Sequence, residues 1–167
     1  MGAMGGAHRA NHARDGNAPR FASELAGDLR ASGPPSPRVL VQWCHGAPGI
    51  VTSLADLPDP QLDELLVAAG ELVWAAGPLT KGAGLCHGTA GNGYAFLKLY
   101  RRTGEAIWLG RARAFAMHAI AQSERHATDY GMRRYSLWTG DLGLAIYLRN
   151  CLDGGDGWPN LDREDGK

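Results

Sequence analysis

Two short stretches of the chain set a thiol beside an imidazole in a glycine frame. One is Gln42-Trp-Cys44-His45-Gly46-Ala-Pro-Gly49; the other is Lys81-Gly-Ala-Gly-Leu-Cys86-His87-Gly88-Thr-Ala-Gly-Asn-Gly93. Thiolate and imidazole are ligands that zinc favours, and a catalytic zinc keeps three protein ligands and one open position. Cys44, Cys86 and His87 supply that number, and two thiolates would balance the charge of the dication. A substrate thiol entering the fourth position would lose its proton more easily, by the logic through which zinc acidifies bound water. Spacing alone does not single out a metal. There is no Cys-x-x-Cys pair, and the sequence offset from Cys44 to Cys86 is 42 residues. The competing reading is two buried cysteines in helix-packing turns. The duplication of Cys-His-Gly favours the metal. Cys151 has no histidine neighbour and follows the apolar run 142–148, so it reads as a core cysteine.

The elements that must position these residues repeat. Gly46 with Gly49, Gly88 with Gly91, and Gly140 with Gly143 each precede an apolar run, at offsets of 42 residues (46 to 88) and 52 residues (88 to 140). Helices that are apolar all round are buried, and one-sided helices lie outside. The spacing predicts helices over 49–57, 61–76, 92–102 and 105–125, with a last apolar run at 144–152. On 61–76 the apolar stripe is Leu62, Leu65, Leu66, Ala69, Leu72, Val73 and Ala76. On 105–125 it is Trp108, Ala112, Phe115 and Ala119, beside a polar stripe of Arg111, His118 and Gln122. The expected fold class is all-α: helical hairpins with an inner and an outer helix, stacked as a solenoid or closed into an α/α toroid. Each glycine turn then delivers its residues to one end of the array, which brings Cys44 and Cys86 together. The inner-helix N-termini are expected to lower the cysteine pKa values, and Asn92 is expected to cap its helix.

Composition sets the outer limits. The 167 residues amount to about one domain, and a hydrophobic content of 44% can fill a core. Formal net charge is zero, so no global field favours nucleic acid or an anionic membrane. No apolar run reaches the length of a spanning helix, and the N-terminus lacks a signal-peptide core. The expected compartment is the cytoplasm. Residues 1–38 read as a disordered or partial leader with a short helix candidate at 21–30, residues 39–152 as the helical domain, and residues 153–167 as a frayed tail.

The motifs at 42–49 and 81–92, with Tyr94-Ala-Phe-Leu97 and Ser136-Leu-Trp-x-Gly140, resemble the C-terminal part of a LanC-like protein, of the lanthionine synthetase C-like family. The resemblance runs from about residue 40 to about residue 150. It implies an α/α toroid of seven hairpins, (α/α)7, of which about three are present here, so a partner chain or a further N-terminal half would complete the ring. It implies Zn2+ held by Cys44, Cys86 and His87. It also implies addition of a thiol, from glutathione or a cysteine peptide, to dehydroalanine or dehydrobutyrine in a peptide or protein. Lys81 matches a position that contacts glutathione in the family.

Around this centre, His45 is a candidate catalytic residue that would donate to, or shuttle a proton from, the bound thiol. Arg133 or Arg134 could take a substrate carboxylate, and Arg133 is the one selected. Asp141 reads chiefly as a helix-start partner, His118 and His126 as surface residues, and Trp43 and Trp138 as walls of the pocket mouth. Two other functions stay open: a non-catalytic scaffold that binds zinc or glutathione, and a different α/α-toroid enzyme.

Overall fold

The structure of the chain, a computed structural model, describes residues 40–159. The leader, the helix expected at 21–30 and residues 160–167 lie outside the described residues. Within them, helix α1 spans Ala47–Leu54, a 3-10 turn Pro60–Leu62 leads into α2 (Asp63–Ala76), α3 spans Thr89–Thr103, α4 Ala106–Tyr130 and α5 Asp141–Asp153. An isolated backbone bridge between Gln42 and His45 is the one β-type pairing among the described residues. The described chain is therefore all-α: two helical pairs, α1–α2 and α3–α4, followed by α5.

Helix α3 is the centre. It packs against all four of the other helices, and every residue from Thr89 to Leu99 is buried. Tyr94, Phe96, Leu97 and Leu99 are fully enclosed, and burying each such side chain is worth roughly 1.5–3 kcal/mol. Helix α4 meets them with the expected stripe: Trp108, Ala112, Phe115 and Ala119 are all buried. Phe96 lies edge-on to Phe115 at 4.9 Å and stacks on Trp108 at 6.2 Å. On α2 the buried face is Leu66, Gly70, Val73 and Ala76. Two residues of its expected stripe, Leu65 and Leu72, are exposed. The contact with α3 and α4 centres on Gly70 instead, where an added Cβ would meet Leu99 Cδ1 at 2.2 Å and the Trp108 ring at 3.0 Å.

The helices after the glycine turns begin about three residues earlier than their apolar runs suggest. Thr89-Ala90-Gly91 and Asp141-Leu142-Gly143 are already helical. Their glycines sit against backbone rather than bend the chain, which a composition-based reading takes for a turn.

The frayed tail is corrected over its described part. Trp158 is 1% exposed, Lys98 is paired with Asp156 at 3.3 Å, and Asn150 Nδ2 donates to the Gly157 carbonyl at 2.9 Å. An aromatic anchor and a buried cation outweigh the glycine content of 154–157. No helix among the described residues is long and apolar enough to cross a membrane.

Candidate metal centre

The three glycine turns are built to one pattern. A Cβ at Gly46 would fall 2.2 Å from the Leu40 carbonyl oxygen, and one at Gly140 would fall 2.3 Å from that of Arg134, each six residues back. At Gly88 the sixth carbonyl back, that of Gly82, would lie at 2.8 Å. The second glycines repeat the relation: Gly49 on Trp43 O at 2.0 Å, Gly91 on Leu85 O at 1.7 Å, and Gly143 on Leu137 O at 2.1 Å. Each turn folds its preceding strand flat against the helix start, and only a hydrogen side chain fits.

Equivalent residues of successive turns are then bonded to one another. The Cys44 amide donates to the Cys86 carbonyl at 3.1 Å, and the Cys86 amide donates to the Trp138 carbonyl at 2.8 Å. This ladder puts the two cysteines side by side at one end of the helical array. Asn92 fastens it from within. It lies in the first turns of α3, where Gly88 is the N-cap, and its Nδ2 donates to the Val41 carbonyl at 2.8 Å. Asn92 thus ties α3 to the cysteine strand of the first turn and does not cap its own helix.

The ligand-capable atoms of Cys44, Cys86 and His87 all lie within 4.8 Å of one another. A tetrahedral zinc with Zn–S of about 2.3 Å spaces its ligand atoms roughly 3.7 Å apart, so closure needs a shift of about 1 Å or less. Cys44 is exposed, and Cys86 and His87 are half-buried, leaving one side open. Soft sulfur and borderline nitrogen in this number fit zinc. The Cys86 thiol has its pKa raised, first by burial and then by the neighbouring Cys44, with Lys81 opposing. The shift is opposite to the lowering expected from the sequence: burial disfavours the thiolate, and a second thiol alongside disfavours it further.

His45 holds the place in the first turn that His87 holds in the second, but it stands outside the three-residue group. It is exposed, and its backbone pairs with Gln42 in both directions. Lys81 borders a cleft of about 150 Å³ that opens next to His87. Its other walls include Gln122, Ser123, His126, Tyr130, Arg134, Trp138 and Asp141. Arg134 lies on that wall. Arg133 instead donates to Ser123 Oγ at 3.1 Å and sits 4.0 Å from the Asp141 carboxylate. Asp141 accepts from Ser123 Oγ at 2.6 Å and from the Arg134 amide at 3.3 Å, as a helix-start carboxylate does.

His126, expected on the surface, is half-buried and stacks on Tyr130 at 4.6 Å. Gln122, His126 and Tyr130 were reachable from sequence. They recur every fourth residue and extend the polar stripe of α4 to the cleft. Gln122 also closes the base of the second turn, accepting from Thr89 Oγ1 at 2.6 Å and donating to the Leu79 carbonyl. Trp138 walls the cleft as expected, whereas Trp43 is not among the cleft's lining residues and stacks on Trp138 at 5.8 Å. Trp158, 4.4 Å from Trp43, was missed, because its segment reads as a polar tail.

The family model described as lanthionine synthetase C-like protein matches residues 21–163. The chain is 38% identical over 118 residues to glutathione S-transferase LANCL1 of Danio rerio, an overlap of 68% of this chain and 29% of that protein. It is 46% identical over 84 residues to LanC-like protein GCL1 of Arabidopsis thaliana, covering 47% of this chain and 19% of that protein. The chain therefore spans less than a third of the length of these curated relatives.

Proposed function

Since this chain belongs to the lanthionine synthetase C-like family, we propose that Cys44, Cys86 and His87 hold one zinc ion and that the centre activates a thiol for addition to a dehydroamino acid. The observation that carries the reading is the convergence of two sulfurs and an imidazole nitrogen within 4.8 Å, from residues 42 apart in sequence (44 to 86). Bound there, zinc would supply a Lewis acid that lowers the pKa of a thiol at its open position.

The remaining steps belong to the chain's own residues. Lys81 and Arg134, on the cleft beside His87, would hold the carboxylates of a thiol substrate and orient its sulfur. The name of the Danio rerio relative, a glutathione S-transferase, favours glutathione as that thiol. Arg133, paired to Ser123 and Asp141, would act by keeping the Asp141 carboxylate neutralised at the cleft wall. His45, exposed beside Cys44, would receive the thiol proton. The sulfur adds to the β-carbon of dehydroalanine or dehydrobutyrine, and a proton is returned to the α-carbon, so nothing is oxidised or reduced. In this proposal the helical array is a section of an α/α toroid, and the electrophile is a peptide or protein.

A second reading, a centre that binds metal and thiol without turnover, is favoured by the position of His45, exposed and outside the three-residue group. Metal analysis of the purified chain tests what both readings share. About one equivalent of zinc is expected in the wild type and none in Cys86→Ala. Wild-type protein without zinc would end both. A glutathione addition assay on a dehydroalanine peptide then separates them: turnover supports the first, and zinc without turnover the second.

A further inference from the structure

The segment after α5 reaches back to the metal turns. Trp158 is 1% exposed. It stacks on Trp43 with ring centroids 4.4 Å apart and planes at 17°, and it meets Tyr94 edge-on at 4.6 Å. Trp43 is the residue before Cys44, and it also stacks on Trp138 at 5.8 Å. Trp138 in turn carries the carbonyl that receives the Cys86 amide. One aromatic cluster therefore holds a residue of the first turn and one of the third, and through the Trp138 carbonyl it is bonded to the second.

The segment is held in place from two sides. Lys98 of α3, 2% exposed, is paired with Asp156 at 3.3 Å and with Asp56 at 2.6 Å. Asn150 Nδ2 bonds both Tyr94 Oη and the Gly157 carbonyl at 2.9 Å. The cysteine it approaches is held through its backbone, by the Cys44 amide on the Cys86 carbonyl at 3.1 Å. Its side chain is exposed, and the thiol meets the Cys86 thiol and, at the long distance of 3.9 Å, Gln42 Oε1.

The geometry points to Trp158 as a positioning residue for the metal centre: packed on Trp43, it fixes the backbone from which Cys44 reaches the shared ion. This rests on the proposed metal reading. Groups behind a ligand commonly change metal affinity by about 10- to 100-fold when removed. The stack is of that kind, acting on the ligand's backbone rather than on its ring or carboxylate.

The test uses the full chain with zinc and cobalt(II) as probes, under conditions where circular dichroism shows each variant folded. Trp158→Leu should weaken zinc binding about tenfold or more. Its sulfur-to-cobalt charge-transfer band should fall toward that of Cys44→Ala. Trp158→Phe, which keeps a ring, should restore both. Leu66→Ala, a fully buried position on α2 outside the turns, lowers stability and should leave affinity and spectrum unchanged. Wild-type affinity in Trp158→Leu overturns the inference and leaves the metal reading standing, and so do losses that only match the drop in stability across Leu66→Ala. Absence of metal from the wild type overturns both. Should Trp158→Leu not fold, Asp156→Asn, which loosens the same segment, carries the test: it supports the inference if it weakens metal binding and overturns it if it does not.

Discussion

At the scale of single residues, the glycines divide into two kinds. Gly91 has the Leu85 carbonyl oxygen 1.7 Å from where a Cβ would stand. The Leu85 backbone and the Trp43 Cβ, 3.2 Å away, leave nothing flexible to yield. Gly91→Ala should therefore lower stability by about 3 kcal/mol, the upper end for overpacking. Gly110, exposed in mid-α4 with nothing within 4 Å of a Cβ, is the reverse case. Gly110→Ala should raise stability by roughly 0.5–1 kcal/mol through helix propensity and a less flexible unfolded chain. Urea titration of the two variants against wild type measures both. The Cys-His-Gly duplication was readable as a metal pattern because the ligand types are chemically distinctive. The sequence reading also named His87 and not His45 for the ligand set; what it lacked was the packing that separates the two. Both follow a cysteine in matching turns, and the difference lies in how each turn packs.

Among the elements, the inner and outer roles were legible and the helix starts were not. Apolar periodicity reports burial, so the all-round apolar character of α3 and the stripe of α4 came through. Glycines that lie flat on a carbonyl look like chain breakers in a sequence, so α3 and α5 seemed to begin late. The seating of α5 on α4 has its own titration. The Tyr147 hydroxyl donates to the Ala112 carbonyl at 2.6 Å, and burial pushes the Cys151 thiol one turn on up to about 11. Burial likewise pushes Tyr147 well above its ordinary value of 10. In both cases the folded state keeps its proton where the unfolded chain has released it. Stability from these groups is thus complete below pH 9 and falls as pH rises, through about 11 for Cys151. Cys151→Ala should remove the part between pH 9 and 11, on the order of 2–3 kcal/mol. Denaturation midpoints across that range would be compared after correction for the alanine cavity.

Over the whole molecule, residues distant in sequence meet because three turns open toward the same end. Linking α1 to α3 through one ion should couple metal binding to global stability. Zinc at about 100 times its Kd should add about 2.7 kcal/mol, seen as a higher Tm that chelator reverses and that Cys44→Ala abolishes. An unchanged Tm in wild type at saturating zinc would break that link. The architecture also leaves Leu65 and Leu72 of α2, and Leu142, Ile146 and Leu152 of α5, exposed. Repeats of this kind bury such faces against their neighbours. Apolar periodicity does not identify which of these positions stand exposed among the described residues.

The hydrogen-bond ladder through residues 44, 86 and 138 has a consequence for how such a centre can change. Its bonds run between main-chain groups, amide to carbonyl, so the alignment itself does not depend on which side chain a rung carries. Two rungs carry sulfur and the third an indole, so Trp138→Cys would keep the rung's hydrogen bond and offer a third sulfur while giving up the stack on Trp43. A centre of this design would change its choice of soft metal by exchanging side chains on a fixed main chain, each exchange limited by the packing which that side chain provides.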